Sequence, residues 1–91
     1  MAIMTRAKPT EFRLYAPQAK GVSLAGSFNS WNPKTLSAKK DSKGNWAVKV
    51  NLRPGRYEYK FLVDGSWLND PNCRSYIPNA FGSQNSLIEV K

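Results

Sequence analysis

Apolar and polar positions alternate with a period of two along most of this chain, and turn-forming residues interrupt the alternation at nearly even spacing. A period of two marks strands with one buried face. The strongest run is 56–63, where Tyr57, Tyr59, Phe61 and Val63 take one face and Glu58, Lys60 and Leu62 the other. Residues 46–52 set Trp46, Val48 and Val50 against Ala47, Lys49 and Asn51. Residues 11–16 set Phe12 and Leu14 against Arg13 and Tyr15, and Pro17 ends the run because proline cannot donate to a ladder. Residues 21–27 point Val22 and Leu24 inward. Weaker signals predict a short edge strand at 35–39, a brief return at 66–68 and a closing strand at 86–90.

The punctuation agrees with this reading. Asn29, Ser30, Asn32 and Pro33 break the pattern around Trp31, since Asn, Ser and Pro favour turns. The segment 41–45 reads as a hairpin loop in which Gly44 can take a positive φ. Pro54-Gly55 fits a type II turn. Asp64-Gly65 is a strong two-residue hairpin signal. Residues 69–85, with Pro71, Pro78 and Gly82, read as one long irregular stretch, and loops of that length in small domains are often functional. No 3.6-residue period is long enough to predict a helix. The predicted fold is therefore all-β, an antiparallel sandwich with an N-terminal arm at 1–10 and a single module at 11–91.

Composition narrows the function. At 91 residues and 41% hydrophobic, the chain suits one modest globular core. No apolar run approaches a membrane span, and residues 1–10 show no secretory signal. Cys73 is alone, which excludes an internal disulfide and suits a reducing, cytoplasmic setting. Histidine is absent, so the commonest general base and metal ligand are missing. No zinc spacing, phosphate-cradling loop or cofactor motif occurs, and Asp41, Asp64 and Asp70 sit in or beside turns, where Asp commonly has a structural role. These absences predict a protein that is not an enzyme and needs no cofactor or metal.

The three tryptophans are the informative residues. Trp46 is in phase with Val48 and Val50 and reads as core. Trp31 lies in a polar turn and Trp67 follows the Asp64-Gly65 turn; neither has a core phase. By position alone, each either plugs an end of the sandwich or stands exposed as a binding platform. An exposed indole suits sugar, because its rigid, electron-rich face stacks on the C–H face of a pyranose at little entropic cost. Sugar hydroxyls then need partners such as Lys, with three donors, or Asn, which donates and accepts. Lys60 points outward by phase, and its plain reading is a solvated surface lysine; Asn85 could equally serve backbone groups at a strand start.

Four ordered motifs carry a family resemblance. Gly26-Ser27-Phe28-Asn29-Ser30-Trp31 resembles the G-x-F-N-x-W signature of family-48 carbohydrate-binding modules. These are early-set, immunoglobulin-like domains of AMP-activated protein kinase β subunits, and they also precede the catalytic domains of isoamylases and glycogen-branching enzymes. Residues 12–19 are similar to the F-x-x-x-A-P-x-A opening of the enzyme-linked members. Residues 57–67 are close to the kinase-type motif ending in valine-aspartate-glycine-x-tryptophan, and 81–90 resemble its closing strand. The resemblance covers about 11–90. It implies an immunoglobulin-like sandwich of about seven to eight short strands that binds α-1,4-linked glucan, as polysaccharide or oligosaccharide. It implies stacking by Trp31 and Trp67, hydrogen bonds from Lys60 and Asn85, and a contact from Phe81, which stands where the kinase-type modules have a leucine.

Two departures matter. The chain reads as a standalone module, with neither a catalytic domain nor the region that follows the module in the kinase β subunits expected, and it is basic although its implied ligand is neutral. It carries 14 basic and 6 acidic residues, a net charge of +8. That balance keeps a second reading in view, a protein-docking module with little sugar affinity whose Lys34, Lys39, Lys40 and Lys43 meet an acidic surface. On the leading reading, the partner besides glucan is a glycogen-metabolising enzyme or another protein brought to the polymer. Nucleic acid fits less well, because the basic residues are spread along the chain and the aromatics already have a sugar explanation. No membrane association is expected.

Overall fold

A computed structural model describes residues 7–91. Eight strands follow in chain order: β1 Lys8–Tyr15, β2 Val22–Gly26, β3 Lys39–Lys40, β4 Asn45–Leu52, β5 Gly55–Val63, β6 Ser66–Leu68, β7 Ser75–Pro78 and β8 Gln84–Val90. One turn of 3-10 helix, Ser27–Asn29, separates β2 from β3. The strands form two antiparallel sheets, one ordered β1-β4-β3 and the other β2-β5-β8-β7 with β6 beside β5. The chain is thus the antiparallel β-sandwich that the alternation predicts. Among the described residues, no helix is long and apolar enough to cross a membrane.

The predicted faces hold. Phe12 and Leu14 from β1, Val22 and Leu24 from β2, Trp46 and Leu52 from β4, and Tyr59 and Phe61 from β5 are all buried. Leu24 stands opposite Phe61 within one sheet, and Leu14 opposite Trp46 within the other. Phe12 and Tyr59 join the sheets, their rings edge-on at a centroid distance of 4.8 Å. Trp46 is core, as its phase predicts, and its indole N–H donates to the Ala16 carbonyl at 2.9 Å. Burying these side chains is the main favourable term in holding the sheets together.

Some boundaries differ from expectation. The predicted arm at 1–10 falls mostly on residues 1–6, outside the described residues, but β1 already begins at Lys8. Lys8, Pro9 and Thr10 pair with Leu52, Asn51 and Val50. The alternation hid this because these residues are polar or proline on an edge strand, where open backbone groups, not side chains, drive pairing. The predicted edge strand at 35–39 is reduced to Lys39–Lys40 and a bridge between Ser23 and Ser37.

The stretch 69–85 is not wholly irregular. β7 forms inside it and pairs with β8 from Ser75↔Leu87 to Pro78↔Gln84, closing a hairpin. A four-residue strand ending in proline is too short for its alternation to show. The turn before it is organised by Asp70, which is buried. Its carboxylate accepts from the Tyr59 hydroxyl and the Asn72 N–H, and its carbonyl accepts from the Tyr76 hydroxyl.

Candidate carbohydrate-binding groove

The outer face of the larger sheet carries the site, and the register explains why. Tyr59 and Phe61 point inward, so Glu58, Lys60 and Leu62 point outward. β6 lies antiparallel to β5 with Trp67 opposite Leu62, which puts Trp67 on that outer face. β8 pairs Leu87 with Glu58 and Ser86 with Tyr59, so Asn85 shares the outer face as well.

The residues preceding Trp31 build the turn that presents it. Gly26 is buried, and a Cβ there would stand 2.5 Å from the Glu58 carbonyl oxygen and 2.8 Å from the Phe28 ring. Only glycine allows that approach. Phe28 packs against core Phe12 and Tyr57 at centroid distances of 5.7 and 6.1 Å. Asn29 knits the loop: its Oδ1 accepts from the Gly26 N–H at 2.9 Å, and its Nδ2 donates to the Asn32 carbonyl at 2.9 Å and to Thr35 Oγ1 at 3.0 Å. The chain then passes through two left-handed residues, Ser30 at φ 56° and Trp31 at φ 59°. Such a conformation is costly for a bulky side chain and persists only where surrounding bonds over-determine it. The Trp31 N–H donates to the Gly26 carbonyl at 2.9 Å and completes the turn.

Trp67 is set by the Asp64-Gly65 hairpin, whose φ values of 48° and 86° match a type I′ turn. The Asp64 carboxylate anchors that turn by accepting from the N–H groups of Lys20 and Gly21 at 2.9 and 2.8 Å. Phe81 sits at the tip of the β7–β8 hairpin with 92% of its surface exposed. The tip reverses through Gly82 at φ 76°.

These segments enclose one groove of about 710 Å³. All five residues named from the sequence, Trp31, Lys60, Trp67, Phe81 and Asn85, line it. Three aromatic side chains from three separate segments therefore stand around a floor of polar groups. Trp31 is half-buried, and Trp67 and Phe81 are exposed. Lys60 Nζ lies 3.4 Å from Ser83 Oγ. Asn85 is buried and partly engaged: its Nδ2 donates to Glu58 Oε1 and its Oδ1 accepts from Asn79 Nδ2, each at 3.0 Å. A carboxamide has two donor hydrogens and two acceptor lone pairs, so one of each remains.

Glu58, Asn79 and Ser83 also line the groove, and sequence reasoning misses all three as site residues. Glu58 is legible in principle, because it precedes Lys60 by one strand period. Asn79 and Ser83 fall in the stretch that reads as irregular, where no periodicity assigns a face.

This fold and groove define a small binding module of the β-sandwich class. Residues 8–91 match the family described as the glycogen recognition site of AMP-activated protein kinase, and the chain belongs to that family. It is 38% identical over 86 residues to the 5'-AMP-activated protein kinase subunit beta-1 of Sus scrofa, covering 94% of this chain and 66% of that one. It is 37% identical to the beta-1 subunit of Rattus norvegicus and 36% identical to the beta-2 subunit of Mus musculus, covering 94% of this chain and 30% of each relative. The chain thus spans less than two thirds of the length of the curated relatives it matches.

Proposed function

We propose that this module binds α-1,4-linked glucan without catalysis and places a partner protein or enzyme on the polymer in the cytoplasm. The carrying observation is the convergence of Trp31, Trp67 and Phe81, from three segments, on the groove that also holds Lys60 and Asn85. The family description and the beta-subunit relatives support glycogen as the polymer. Indole faces at Trp31 and Trp67 stack on successive pyranose rings. Lys60 and the unused donor and acceptor of Asn85 meet sugar hydroxyls. Phe81 touches the glucan from the hairpin tip.

A neutral ligand held by stacking and a few hydrogen bonds, each worth about 0.5–1.5 kcal/mol, must still offset the entropy of association. A single site therefore has a Kd on the order of high micromolar to millimolar. A branched polymer offers many sites, and tethering raises the effective affinity. The test is co-sedimentation with glycogen. The Trp31→Ala/Trp67→Ala double variant should stay in the supernatant while wild type pellets. Equal pelleting by a folded double variant would reject the site.

A further inference from the structure

We propose that Glu58 is a positioning residue of the groove: through Asn85 and Asn79 it holds the hairpin tip that carries Phe81. The consequence for affinity rests on the glucan reading above; the geometry does not.

Phe81 is nearly fully exposed, so packing does not hold it. What orders the tip is a polar chain. Asn79 Oδ1 accepts from the N–H groups of Phe81 and Ser83 at 3.0 and 3.1 Å. The Asn79 N–H donates to the Ser83 carbonyl at 3.0 Å and closes the loop. Asn79 Nδ2 then donates to Asn85 Oδ1, and Asn85 Nδ2 donates to Glu58 Oε1 in the middle strand β5.

The chain therefore runs from the exposed end of a hairpin to an interior strand of the sheet. Its middle member is buried, so water cannot readily replace a lost partner. Its inner end is an acceptor oxygen held on strand β5, which gives the Asn85 amide a partner of set position. A tip ordered before the ligand arrives does not have to be ordered on binding, which lowers the entropic cost of association. Replacing Glu58 with Ala leaves the Asn85 amide without an acceptor and frees the tip. Gln keeps a carbonyl oxygen in the same place.

The experiment uses amide hydrogen exchange of the ligand-free protein and NMR titration with maltoheptaose. Glu58→Ala should speed exchange at Phe81 and Ser83 by about fivefold or more, with strands β2 and β4 unchanged, whereas Glu58→Gln should match wild type. Maltoheptaose should bind Glu58→Ala about fivefold more weakly, and that penalty should shrink to within about twofold in a Phe81→Ala background. Unchanged exchange at the tip in Glu58→Ala overturns the proposal. So does an equal penalty in both backgrounds, which would make Glu58 a direct sugar contact. A Glu58→Gln variant as defective as Ala also overturns it, since the charge and not the acceptor would then matter. If wild type gives no maltoheptaose shifts, the glucan reading fails, and the exchange rates still decide the positioning role.

Discussion

The hydroxyl of Tyr59 donates a 2.7 Å hydrogen bond to the carboxylate of Asp70, and both residues are buried. This contact ties the core of the larger sheet to the turn before the β7–β8 hairpin, and so to the segment that ends in Phe81. Asp70 also receives the Asn72 N–H on its other carboxylate oxygen, and its own N–H donates to Ser86 Oγ. Tyr59→Phe removes one donor from a buried carboxylate and should cost about 1.5–3 kcal/mol in urea unfolding. A loss below about 0.5 kcal/mol would show that the pair contributes little.

The same pair predicts behaviour in alkali. Burial, and then the bond to Asp70, hold the Tyr59 proton far above the usual tyrosine range. The unfolded chain releases that proton near the ordinary value of 10.0. Above that pH the native state binds more protons than the unfolded state, so stability falls as pH rises. Below it, the contribution is fully present. Urea midpoints should therefore drop more steeply between about pH 10 and 11 for wild type than for Tyr59→Phe. Parallel curves would contradict this.

Gly26 offers a test of the turn that presents Trp31. Alanine there puts a methyl group 2.5 Å from a backbone oxygen of β5, which cannot yield as a flexible side chain can. Gly26→Ala should cost about 1–3 kcal/mol and move the Phe28 ring and the Trp31 indole signal in NMR spectra. A variant that melts with wild type and keeps both signals would mean that the β2 end shifts freely.

Trp46 separates core from platform. Trp46→Phe removes the donor to the Ala16 carbonyl and leaves unfilled volume between the sheets. The expected cost is about 1–3 kcal/mol in thermal unfolding, with maltoheptaose affinity within about twofold of wild type. Lost affinity at unchanged stability would bring Trp46 into the binding surface.

Much of this molecule is legible in its residue order because strands report their buried face through a period of two. Phe12, Leu14, Val22, Leu24, Trp46, Tyr59 and Phe61 alternate with polar or outward neighbours and are all buried. The outward phase of Lys60 and the hairpin at Asp64-Gly65 follow from the same local rules. The ordered motifs point to Trp31, Lys60, Trp67, Phe81 and Asn85, and all five line one groove.

Local rules stop where side chains do not drive the structure. The pairing of Lys8–Thr10 with β4 satisfies backbone groups, and β7 is too short to show an alternation. Whether Trp31 and Trp67 plug the sandwich or flank a groove depends on the β5–β6 register and on two left-handed residues, and neither has a sequence period. Glu58 and Asn85, 27 positions apart, meet in one chain of hydrogen bonds because the β5–β8 ladder brings them together, and Asn79 joins them across the β7–β8 hairpin. Residue order is enough to say which side chains face in and which face out. The packed sheets settle which outward side chains meet, because hydrogen-bond register, and not local preference, sets distances across a sheet.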